Sequence, residues 1–265
     1  MTGTPIPLDA SYFLIVDDHE FSRHIVRDAL RTEGVQNMAI AHDGGSAITQ
    51  IRDVTELPRF DGITPDHLPR SATDLSQIFG GFDCIISDFN MRPMTGLQLL
   101  QAVRTGQTKA SRATPVIILT GHSDDNLVAA ALALDANAFV VKPVSRNSLI
   151  SKIRRALGDP VSLKKREAYA IVHLPDPIGG VVRQRSAEPD EQAFVGQEVP
   201  DDTDGGSVLL PLAEISGGMT LASDIKGHSG AVLIPGGTRL GIELIEKLTD
   251  LEELGGIGGV LWVRR

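Results

Sequence analysis

Five side chains have the types and spacing for metal-assisted phosphoryl chemistry: the pair Asp17-Asp18, then Asp88, Thr120 and Lys142. Each stands at the carboxyl end of a short apolar run, and in an open parallel sheet ligands collect at those ends. Carboxylates that converge there repel one another unless a hard cation neutralises them, and oxygen ligands of this kind suit octahedral Mg²⁺ that keeps several waters. A hydroxyl and an ammonium beside the same acids can stabilise phosphoryl oxygens. Singly, each residue reads as an ordinary solvated charge. Together, at four strand ends of one sheet, they read as a site.

The elements that must position them follow from the hydrophobic pattern. Tyr12–Val16, Asn37–Ala41, Asp83–Ser87, Val116–Thr120 and Ala138–Val141 have strand length and strand composition. Between and after them, Phe21–Leu30, Gly44–Val54, Gly96–Arg104, Asn126–Leu134 and Asn147–Leu157 show helical spacing. Strands apolar on both sides and alternating with helices predict an α/β fold, a five-stranded parallel doubly wound sheet covered on both faces. The proline-rich stretch at about 56–81, with Pro58, Pro65 and Pro69, is too irregular for one helix and too long for a normal connection. It is expected to be an insertion between helix 2 and strand 3, carrying one short helix at Thr73–Phe79.

Composition removes several function classes. The 265 residues carry 25 basic and 34 acidic side chains, net −9, so counterion-driven DNA binding is not expected. No apolar window reaches membrane-span length and no leader pattern opens the chain, so a cytoplasmic protein without membrane contact is expected. The single cysteine, Cys84, lies in an apolar run and reads as a small core residue. His19, His42 and His122 fit helix starts and loops better than a ligand set. The Gly255–Gly259 run lacks the lysine and helix of a phosphate loop and reads as a turn.

Residues 10–157 are thus one expected domain. Residues 158–207, with five prolines and the acidic run Asp201–Asp204, predict an extended or disordered linker, in which the basic triplet Lys164–Arg166 reads as a solvated helix end or linker segment. Residues 208–265 predict a small, mainly-β module with one helix at Ile242–Leu251. Such a short segment makes a marginal core, so docking or homodimerisation is expected of it.

Four separated motifs, Asp17-Asp18, Ile85–Met91 followed by Pro93–Gly96, Ile118–His122 and Val141–Pro143, resemble the receiver domain of two-component response regulators, with its flavodoxin-like fold. The resemblance implies that Asp88 is the phospho-acceptor and that Asp18, Asp88 and the Asn90 backbone carbonyl hold Mg²⁺, with Asp17 acting through water. It further implies that Thr120 and Lys142 bind phosphoryl oxygens, that Phe139 is the switch aromatic, and that Lys142-Pro143 is a cis peptide. Arg92 stands where many receivers have proline. The implied partners are a histidine kinase or phosphotransfer protein and a downstream protein target, with no enzymatic activity beyond the receiver's own phosphorylation and dephosphorylation. A phosphate-sink or scaffold protein is the alternative. Asn90, two places after Asp88, argues against a phosphatase acting on external substrates. More weakly, Ser216–Ile225, Gly230–Thr238 and Ile242–Leu251 resemble a small module of bacterial signalling proteins that often precedes HD-type phosphohydrolase domains.

Overall fold

A computed structural model describes residues 7–55, 81–121, 125–158, 162–174, 197, 206–227, 232–255 and 257–264. The expected insertion, its helix at Thr73–Phe79, His122 and most of the expected linker lie outside the described residues. The chain divides into two compact units, Met1–Gly121 with Ala133–Val172, and His122–Leu132 with His173–Arg265.

In the first unit β1 (Phe13–Val16), β2 (Met38–Ala41), β3 (Cys84–Asp88), β4 (Val116–Thr120) and β5 (Ala138–Val141) form one sheet in the order β2-β1-β3-β4-β5. Every pairing is parallel. The helices are α1 (Glu20–Thr32), α2 (Gly44–Thr55), α3 (Gly96–Thr105), α4 (Asp125–Ala133), which falls largely with the second unit, and α5 (Arg146–Gly158). The five-stranded, flavodoxin-like architecture expected from the sequence is the one found.

Alternation along the strands decides which residues meet which helices. Phe13, Ile15, Cys84, Ile86, Ile117, Leu119, Ala138 and Val140 form one buried cluster with Val26, Ala29 and Leu30 of α1 and Leu149, Ile150, Ile153 and Ala156 of α5. Those helix positions recur at three- and four-residue steps, the stripe a surface helix turns to a sheet. Leu14, Ile85, Ile118 and Phe139 alternate with them and are equally buried, so they point to the opposite face. Cys84 is buried in this core, as its apolar setting predicts.

Two backbone features fix the loop that follows β3. Thr95 caps α3 in a reciprocal box: its hydroxyl accepts from Gln98 N, and its own N–H donates to Gln98 Oε1 at 2.9 Å. Gly96 has no room for a side chain, because a Cβ there would overlap the Asp88 carbonyl oxygen and lie 2.9 Å from Ser87 Oγ. Both Lys142-Pro143 and Arg92-Pro93 are cis, and the family resemblance implies only the first.

The segment after α5 departs from the expected extended linker. Arg166–Ala170 is a short helix, α6, and Tyr169 is fully buried. The Tyr169 hydroxyl donates to Asp135 Oδ2 at 2.7 Å and accepts from Lys164 N at 2.9 Å. Gln101 of α3 donates to the carbonyls of Tyr169 and Val172, both at 3.0 Å. Lys164, Lys165 and Arg166 are exposed at the start of this helix, as expected, and Lys164 also pairs with Asp135 at 3.0 Å. One large aromatic with a satisfied hydroxyl outweighs the polar composition around it.

The second unit contains β6 (Ser207–Pro211), β7 (Thr220–Leu221), β8 (Ile225–Lys226), β9 (Val232–Ile234), α7 (Ile242–Glu253) and β10 (Val260–Arg264). Antiparallel pairing gives a three-stranded sheet in the order β6-β10-β7 and a β8-β9 ribbon. Leu212, Leu221, Leu248, Leu251, Leu261 and Val263 are buried, so this small, mainly-β module has a core of its own. Among the described residues no helix is long and apolar enough to cross a membrane.

Candidate functional site

The sheet order reverses between β1 and β3, whose neighbours β2 and β4 lie on opposite sides, and this topological switch point is where an open α/β sheet leaves a crevice. Register pairs Val16 with Ser87, so Asp17 and Asp18 leave β1 beside the end of β3, where Asp88 stands. On the other side Asp88 pairs with Leu119, and Thr120 pairs with Val141, just before Lys142. Parallel register therefore brings to one edge of the sheet residues that are up to 125 positions apart.

Lys142 is the centre of the cluster. Its ammonium donates to Asp17 Oδ2 at 2.8 Å and lies 2.9 Å from Asp88 Oδ1. The Asp17 side chain is fully buried, and its other oxygen accepts from the backbone N–H of His19 at 2.8 Å. Arg23, one turn along α1, donates to the Asp17 carbonyl at 2.7 Å and so ties the helix to the end of β1. The Asp18 side chain is 37% exposed, which leaves its carboxylate open to solvent and to a cation.

Burial pushes the Asp88 carboxyl above the ordinary carboxylate value; Lys142 pulls it back, and Asp17 and Asp18 add repulsion. For Lys142, burial works against the charged form, but the hydrogen bonds to Asp17 and Asp88 outweigh it and raise its pKa. Three carboxylates and one ammonium leave two negative charges in the crevice, the deficit a divalent cation fills. One carboxylate oxygen each from Asp17, Asp18 and Asp88 and a ring nitrogen of His19 lie within 4.8 Å of one another. Their size and oxygen-rich character fit a hard dication.

Thr120 is buried at the end of β4, and its carbonyl accepts from Lys142 N at 2.7 Å. Phe139 is buried in β5, and its carbonyl accepts from Lys152 Nζ at 2.8 Å. Asn90 is exposed in the loop directly after β3. His42 does not join the acidic cluster. His19, which the sequence reading sets aside as a helix start, does join it. Its signal in the sequence is adjacency, the run Asp17-Asp18-His19.

The profile of the response regulator receiver domain matches residues 70–154. The chain is 34% identical over 145 residues to a probable chemotaxis protein CheY of Rhizobium etli, covering 55% of this chain and 91% of that protein. It is 30% identical over 142 residues to chemotaxis protein CheY of Pseudomonas aeruginosa, covering 54% of this chain and 92% of that protein. The chain belongs to the response regulator receiver family. Among solved structures, this receiver matches Vibrio cholerae chemotaxis protein CheY4 at 26% identity and a TM-score of 0.41, over 55% of this chain and 98% of that one. Receivers are signalling modules of two-component systems with a phosphoryl-accepting role, not classical enzymes. The profile match begins at Arg70, beyond Asp17 and Asp18. In this receiver the β1–β3 pairing carries that acid pair to Asp88 across the intervening chain.

Proposed function

We propose that the protein is a response regulator that takes a phosphoryl group onto Asp88 from a histidine kinase or phosphotransfer protein and passes the change to a downstream protein. The single observation that supports this most strongly is the Lys142 ammonium bridging Asp17 and Asp88 at 2.8 and 2.9 Å. It holds the Asp88 carboxylate in a fixed orientation beside a positive charge, the arrangement an in-line attack on phosphorus needs. An Asp88 oxygen forms the new bond to phosphorus while the donor's bond to phosphorus breaks, and the electron pair leaves with the donor. Lys142 and Thr120 then bind the phosphoryl oxygens.

In this reading Asp18, Asp88 and the Asn90 carbonyl would hold Mg²⁺, and Asp17 would act through water. The cation would supply neutralisation of charge on the transferring group. Phe139, which pairs with Ile118 two places before Thr120, acts as the switch aromatic. Residues 10–157 form the receiver, with an insertion at about 56–81. Residues 158–207 connect it to the module at 208–265, with no catalytic activity beyond the receiver's own phosphorylation and dephosphorylation.

The test is incubation of the full chain with acetyl phosphate followed by intact-mass measurement. One phosphoryl group is expected, only with Mg²⁺ present, and none in Asp88→Asn. Undiminished labelling of Asp88→Asn would overturn the assignment.

A further inference from the structure

His19 has an unusual position for a helix N-cap. Caps are normally short polar side chains that accept from the first-turn amides. The His19 ring makes no such bond to α1. Instead its Nδ1 lies 2.6 Å from Asp18 Oδ1 and 3.7 Å from Asp17 Oδ1. The backbone N–H of the same residue donates to Asp17 Oδ1 at 2.8 Å, which fixes the main chain of His19 beside the acidic crevice. The side chain is 71% exposed, so it can turn about its χ angles with little steric cost.

We infer that His19 is a further metal ligand, which makes the crevice a mixed nitrogen and oxygen site that favours first-row transition dications over Mg²⁺. The inference rests on the reading above that Asp17, Asp18 and Asp88 form a cation site. The geometry supports it because the His19 nitrogen falls within 4.8 Å of a carboxylate oxygen from each of the three acids. The chemistry supports it because Mg²⁺ takes oxygen ligands and gains little from imidazole, whereas Co²⁺, Ni²⁺ and Zn²⁺ bind neutral imidazole well. A purely oxygen-lined crevice discriminates among these ions less. Both side chains are open to solvent, His19 at 71% and Asp18 at 37% exposure, so an ion from solution can reach them.

The experiment is a calorimetric titration of the full chain with Mg²⁺ alone, then with Co²⁺ alone and in competition with Mg²⁺, for the parent and for His19→Asn. Asn is itself a good N-cap, so the fold is kept. A proton spectrum of the Co²⁺-loaded protein supplies a second readout, a paramagnetically shifted exchangeable imidazole N–H. The expected result is that His19→Asn lowers the Co²⁺-to-Mg²⁺ affinity ratio by about tenfold or more, leaves Mg²⁺ binding nearly unchanged and loses the shifted N–H. An unchanged ratio, with Mg²⁺ still bound, would overturn the inference and leave His19 as a hydrogen-bonding neighbour of Asp18. Absence of Mg²⁺ binding in the parent would strike instead at the cation site itself.

Discussion

Lys142 and Asp83 show how burial gives single charges opposite consequences at the two ends of the same sheet. Lys142 is shared by two acids, one of them fully buried, so removing it leaves the Asp17 carboxylate without its ammonium partner. Breaking a buried pair from one side is costly. Lys142→Met is expected to destabilise the protein by about 2 kcal/mol in urea unfolding, a figure lowered for the partial exposure of the lysine. Added Mg²⁺ should restore part of that loss while phosphorylation stays impaired. Asp83, just before β3 at the far end of the sheet, accepts from Tyr12 N at 2.8 Å, and burial raises its pKa against that hydrogen bond. A folded-state pKa above the unfolded one favours the fold at low pH, and that contribution is lost as pH rises through the carboxylate range. Asp83→Asn keeps an acceptor for Tyr12 and does not titrate. Unfolding at pH 3.5 and pH 7 should therefore show the variant gaining on the parent at the higher pH. A constant difference would contradict the assignment.

At the scale of elements, α6 is the clearest departure from the sequence pattern. Its five residues are too few to be stable alone, and they persist because Tyr169 is buried and its hydroxyl has both a donor and an acceptor partner. Tyr169→Phe removes both hydroxyl bonds and should cost about 1–2 kcal/mol; Tyr169→Ala, which also empties the site, should cost about 3–5 kcal/mol. Limited proteolysis should find new cleavage within 162–174 in the alanine variant before the sheet is attacked. The parallel strands were legible because strands buried on both faces leave unbroken runs such as Phe13–Val16 and Val116–Thr120. The acids, Thr120 and Lys142 were legible for a related reason: a polar residue closing such a run must face the crevice or solvent. Tyr169 was not, since an isolated aromatic among charged residues carries no periodicity, and its partner Asp135 lies 34 positions away. The cis Arg92-Pro93 bond was equally silent, because the two isomers share one sequence.

For the whole molecule, the pairing of β1 with β3 has a consequence for the rate of folding. Phe13 pairs with Cys84, and the neighbouring Tyr12 N–H bonds to Asp83 across 71 positions, so the central strands cannot meet until a long stretch of chain has closed. Closure entropy grows with the logarithm of length, and on length alone removing the 25 residues 56–80 would lower its cost by about 0.4 kcal/mol. If β1–β3 contact is formed in the transition state, this variant should refold about twofold faster with little change in its unfolding rate. Stopped-flow measurements on both limbs would show it; a faster unfolding limb with unchanged refolding would mean that the deleted residues stabilise the native state instead. The same closure that assembles the acids of the crevice would then be the slow event, and the protein would become competent for phosphorylation only as fast as its two central strands find each other.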